Sequence, residues 1–172
     1  MKKFAIIFSL LATVTLLTVG CDSQKLPPGM PDLYPTTLTF TCDGQPLDDA
    51  VITLVPQDGP AKGQWVIGGR TDASGVLNVK THGQYDGAPE GKMVVCVDKQ
   101  RIVPGPISQT ERPTDDIGAM QDYDRKVREE QEIYLVAGQE LKDPATSTLE
   151  ITITPGKNRK EFEVPKVDER IQ

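Results

Sequence analysis

The stretch Thr36-Thr37-Leu38-Thr39-Phe40-Thr41-Cys42-Asp43-Gly44 sets the period of the chain. Leu38, Phe40 and Cys42 alternate with threonines, so one face is apolar and the other polar, the pattern of a half-buried β-strand. Asp43-Gly44 then supplies a turn, because both residues tolerate backbone conformations closed to most side chains. The same period returns downstream. Ala50, Ile52 and Leu54 alternate with Val51, Thr53 and Val55 until Pro56 stops the run. Gln64–Ile67 is a short candidate strand around Trp65, and Asp72-Ala73-Ser74-Gly75 is a turn ahead of Val76–Thr81, where Leu77 and Val79 share a face. Lys92–Asp98 gathers Met93, Val95 and Val97 into a central strand, and Glu132–Val136, Leu149–Ile153 and Phe162–Val164 follow. Roughly six to eight short strands separated by turns predict an all-β sandwich.

One segment breaks the pattern. Pro104 to Gln131 begins turn-rich, through Pro104, Pro106 and Pro113, and then becomes charged. Asp115-Asp116 can cap a helix over Ile117–Glu130, whose apolar residues Ile117, Met120, Tyr123 and Val127 fall on one helical stripe. A solvated, charged excursion from the sandwich is the expectation.

Upstream, Lys2 and Lys3 precede an uncharged apolar run from Phe4 to Val19 that ends at Gly20-Cys21. This is the layout of a secretory leader, and it falls short of the about 20 apolar residues that span a membrane. Ending on cysteine, it resembles a bacterial lipoprotein signal. That resemblance implies cleavage before Cys21, acylation of its thiol, and attachment to a bacterial membrane with the domain in the cell envelope, periplasmic or surface-facing. A single acyl chain binds marginally and two or more anchor stably. Asp22–Pro35 carries Pro27, Pro28, Pro31 and Pro35 and reads as a tether reaching about 40 Å at roughly 3 Å per residue.

The chain carries a net charge of −6, and loss of Lys2 and Lys3 with the leader makes the remainder two charges more negative. An acidic surface argues against nucleic acid and against electrostatic docking on anionic lipid, so membrane attachment rests on the acyl chains. With Cys21 acylated in an oxidising compartment, Cys42 and Cys96 are a candidate disulfide pair. Such a bridge would stabilise by about 4 kcal/mol in the chain-entropy model. The alternative is two buried free thiols, which strand alternation allows by placing them on different faces.

The order of motifs resembles carboxypeptidase-regulatory-like domains over residues 38–98. Cys42-Asp43-Gly44-Gln45-Pro46-Leu47-Asp48-Asp49-Ala50 is similar to their opening turn and strand entry. Gly68-Gly69-Arg70-Thr71-Asp72-Ala73-Ser74-Gly75-Val76-Leu77 is similar to their T-D-x-x-G turn, and Gly87-Ala88-Pro89-Glu90-Gly91-Lys92-Met93-Val94-Val95 to their entry into a late strand. The resemblance implies a transthyretin-like (prealbumin-like) β-sandwich of about seven to eight strands, usually an accessory or binding module. These are scaffold motifs and supply no nucleophile or proton carrier.

The residues themselves offer little catalytic chemistry. His82 is the only histidine, too few for a histidine-based metal site or a triad. Asp48-Asp49, Asp115-Asp116 and Asp122/Asp124 lack the spacing of a calcium loop and read as turn and cap carboxylates. Trp65 and Tyr85 are the candidate ligand-stacking surface, set against ordinary half-buried packing. The resulting expectation has four parts: a signal peptide at 1–20, a lipidated tether at 21–35, a sandwich at 36–167 with an insertion at 101–131, and a tail at 168–172. No enzyme, cofactor or metal is expected. The function is that of a lipid-anchored envelope module with a protein or glycan partner, or alternatively a carbohydrate- or peptide-binding accessory lipoprotein for uptake or degradation.

Overall fold

The computed structural model describes residues 25–59 and 63–171. Cys21 and the leader lie outside the described residues.

The alternating stretch forms the predicted strand, β1 (Thr36–Cys42), with Leu38 and Phe40 fully buried. The further strands of three residues or more are β2 (Val51–Pro56), β3 (Ile67–Arg70), β4 (Val76–Asn78), β5 (Gly91–Asp98), β6 (Gln100–Val103), β7 (Glu132–Ala137), β8 (Glu150–Ile153), β9 (Asn158–Val164) and β10 (Lys166–Arg170). Two-residue strands at 33–34, 45–46, 80–81, 85–86 and 88–89 complete them. The chain is therefore more finely divided than a seven- or eight-stranded reading expects, but it is an all-β sandwich with one helical insertion.

One layer is a sheet in the order β8-β5-β2-β3, extended by 80–81 and 85–86. The other is centred on β1, with β9 on one side and both β4 and 45–46 on the other. β9 runs parallel to β1 over seven register pairs, from Asn158↔Thr36 to Val164↔Cys42. Phe40 and Phe162 are directly paired there and stack with ring centroids 5.2 Å apart. Between the layers Leu38, Phe40, Ile52, Leu54, Ile67, Met93, Val95, Val97 and Ile153 form one core cluster. Burying each such side chain stabilises by about 1.5–3 kcal/mol before conformational entropy is counted.

Three strands cross from one sheet to another. The expected strand 76–81 divides at Val79, passing from the β1 layer to the β2 layer. β5 passes through Lys99 into β6, and β9 passes through Pro165 into β10. Both crossings arrive in a third sheet, β6-β7-β10, which ties the two layers at one end. The expected insertion at 101–131 therefore starts inside a strand. The expected tail at 168–172 is mostly strand β10, with Ile171 N donating to Ile133 O.

Other expectations are adjusted as well. The tether is attached from Leu33, since 33–34 pairs with 88–89. Trp65 precedes β3, which occupies Ile67–Arg70 because Gly68 and Gly69 extend it at φ +149° and +154°. A Cβ on Gly68 would lie 2.0 Å from Ile52 O, so only glycine fits against β2.

The helix α1 (Ile117–Glu130) forms as predicted, with the Asp116 carboxylate accepting from Gly118 N and Ala119 N. It buries no residue, and Ile117 is 75% exposed. Its partners are close by in sequence: Arg112 forks onto Asp124 at 2.7 and 2.8 Å, and Glu130 accepts from Ile107 N.

Candidate functional site

A cleft of about 580 Å³ lies where the third sheet meets the end of the β1 layer. One wall is the turn after β1. Cys42↔Gln45 and Thr41↔Pro46 leave only Asp43 and Gly44 in the loop, at φ +50° and +71°. Positive φ at both central residues is the type I′ geometry that Asp-Gly favours. Glu163, beside β1 on β9, fixes this turn by accepting from Gly44 N at 3.2 Å and from Thr41 Oγ1. Those bonds, led by Thr41, hold the Glu163 carboxyl below its usual range.

The opposite wall comes from the third sheet: Lys99, Gln100 and Arg101 from the β5–β6 passage, Val136 from β7, and Lys166 and Asp168 from β10. Its charges are largely matched. Arg101 Nη2 donates to Asp168 Oδ1 at 2.7 Å, and its guanidinium lies 4.4 Å from the centroid of the Tyr134 ring. Tyr134 Oη donates to Glu132 at 2.8 Å, and Glu132 pairs with Arg170 at 2.9 Å. Lys99 Nζ reaches Asp48 at 3.4 Å with only 15% of its side chain exposed. The Lys166 side chain makes no hydrogen bond or ion pair among the described residues.

These contacts fix protonation. The hydrogen bond from Arg101 holds the Asp168 carboxyl below its ordinary value, so it stays ionised at neutral pH. The bond to Glu132 raises the Tyr134 phenol. Burial, then Asp43, pushes the Cys42 thiol up, with Lys166 opposing and Glu163 adding to the rise. A thiol so placed is a poor nucleophile. The cleft can donate and accept hydrogen bonds and match charge, with Asp168 held ionised and the Cys42 thiol held protonated at neutral pH.

The residues singled out from sequence lie elsewhere or do not combine. Cys42 and Cys96 are both free, which corrects the disulfide expectation. Cys42 belongs to the core between the layers. On β5 the alternation that sends Val95 and Val97 inward sends Cys96 to the outer face, beside Thr53 of β2. Burial, then Asp143, raises its thiol too. Trp65 and Tyr85 are half-buried and neither lines the cleft. Trp65 packs on the core and meets His82 edge-on at 6.1 Å, while Tyr85 pairs with Thr81. His82 is exposed at φ +54°. Of the acidic groups, Asp49 pairs with Arg70, Asp116 caps the helix, and Asp122 pairs with Arg125 and Lys126. Among the described residues no group of three His, Cys, Asp or Glu could hold a metal ion, and no helix is long and apolar enough to cross a membrane.

Sequence reading missed Lys99, Arg101, Lys166 and Asp168. Arg101 and Asp168 are separated by 67 residues. Both lie in stretches with no motif, so only the two strand crossings bring them together. No family model, no curated protein and no solved structure matches the chain.

Proposed function

We propose that the chain is a lipid-anchored cell-envelope protein whose β-sandwich is a non-catalytic module that binds a partner. The observation that carries the binding half is the charge pairing in the cleft. Arg101 is matched to Asp168 and Lys99 to Asp48, and the one thiol is held protonated. A pocket whose charges are mostly paired recognises by shape and hydrogen bonds and has little with which to activate a substrate. The anchoring half rests on the leader ending at Cys21.

Fractionation of cells expressing the full chain tests the anchor. The wild-type protein should sediment with membranes and come off only in detergent, whereas Cys21→Ser should be soluble. A wild-type protein that is soluble without detergent, or a Cys21→Ser protein that stays on the membrane, contradicts the reading.

A further inference from the structure

The backbone beside the cleft is open in a way that its side chains do not reveal. Lys99 O accepts from Val136 N at 3.0 Å, so Lys99 and Val136 are a hydrogen-bonded pair. The register Gln100↔Leu135, Arg101↔Tyr134, Ile102↔Ile133 then alternates: Arg101 and Val103 turn their N–H and C=O groups to β7, and Gln100 and Ile102 turn theirs away. On that outer side β2 accompanies β5 only as far as Val51↔Asp98. The residues before β2 leave the lane, because 45–46 pairs with β1 in the other layer. β6 is thus an edge strand. Among the described residues nothing bonds the outward groups of Gln100 and Ile102, and Ile102 is 57% exposed.

We infer that this edge and the cleft beside it form one site for an extended peptide, which adds as a strand along Gln100–Ile102. The inference deepens the binding-module reading, and rests on it, by naming the class of partner. Main-chain bonds to Gln100 and Ile102 provide the affinity, as in strand addition generally. The vacated lane is bounded by Leu47 and Asp48 at one end, so a peptide in it continues the line of β2. Charge complementarity selects the side chains. The Lys166 ammonium forms no close ion pair among the described residues, although its charge is felt by Asp168, so an acidic residue on the peptide face turned toward the cleft can pair with it directly. A glycan could use the cleft but gains nothing from paired N–H and C=O groups at strand spacing. A second copy of this chain could use the edge and is separable by experiment.

The test uses the full chain and the peptide acetyl-Glu-Thr-Val-Thr-Val-Thr-Glu-amide. Hydrogen exchange read by mass spectrometry should show protection at 99–103 and 43–48 on adding the peptide. N-methylation of the peptide's alternate amides should weaken binding about tenfold for each bond lost. Ile102→Pro should do the same on the protein side, because that N–H makes no ladder bond and proline is tolerated at such edge positions. Lys166→Gln should weaken the acidic peptide and leave a glutamine-substituted one unchanged.

Absence of protection at millimolar peptide, or binding indifferent to N-methylation, overturns the inference even if Ile102→Pro fails to fold. Protection at 99–103 that grows with protein concentration without peptide assigns the edge to a second copy and overturns it too. Peptide protection in a chain that fractionates as soluble would leave this site standing and remove only the anchoring reading.

Discussion

Arg101 and Asp168, on the two outer strands of a three-stranded sheet, reach across the strand between them and bond at 2.7 Å. β6 continues a strand of one sandwich layer and β10 continues a strand of the other. Their ion pair therefore closes the cleft at the place where the two layers are tied together. Both side chains are close to half exposed, so the pair is worth little as stability and more as orientation.

The Asp168 carboxyl should titrate below the ordinary aspartate value near 4. A depressed folded value means its contribution is present above the unfolded value and lost as pH falls through the folded one, so the window lies below about pH 4. Carboxyl NMR titration at low salt should show the depression. Arg101→Gln should abolish it, and 1 M salt should shrink it. An ordinary value in the wild-type protein at low salt would contradict the pairing.

Neither thiol is bridged, and both are more than nine-tenths buried. Alkylation of the native protein at pH 8 should be slow at Cys42 and Cys96, since burial hinders access and raises both thiols. Denaturation without reductant should expose both to full labelling. Labelling that appears only after reduction would restore the disulfide.

Gly75 is a sharper test of the core than most apolar positions. It sits at φ +73°, and a Cβ there would lie 2.3 Å from Phe40 O and 3.1 Å from Leu47 N. Those two atoms are themselves bonded at 2.9 Å. Gly75→Ala should cost about 3 kcal/mol in denaturant unfolding, from strain plus a displaced bond. Gly44→Ala, at a similar φ but in open space, should cost only about 1 kcal/mol. Equal costs would mean that the backbone of Phe40 and Leu47 does not close around Gly75.

The excursion should melt independently of the sandwich. Asp116→Ala removes the N-cap of α1 and should cost that helix about 1 kcal/mol. Because α1 buries no residue, amide exchange should rise across 117–130 while the midpoint of global unfolding stays put. A matching fall in global stability would show that the helix is packed on the sandwich.

The parts legible in the sequence are those governed by local periodicity and capping. Thr36–Cys42, the central strand and the helix from Ile117 to Glu130 came out as read, because alternation, the Asp-Gly turn and an aspartate cap are short-range signals. Strand crossings were not legible. Nothing at Val79, Lys99 or Pro165 announces a change of sheet, yet those three positions create the third sheet and, through it, the cleft. Gln100–Val103 and Lys166–Arg170 are polar edge strands with little apolar alternation, so they read as insertion and tail. The alternation that revealed the strands also bore on Cys42 and Cys96, since it allowed them different faces and left the pairing unresolved.

The central claim, a sandwich held at the envelope by its N-terminal cysteine, is tested most directly by the intact mass of the protein extracted from the membrane fraction. The account predicts a chain beginning at Cys21 and carrying added acyl mass. A soluble product that retains residues 1–20, or one with an unmodified Cys21, would contradict it.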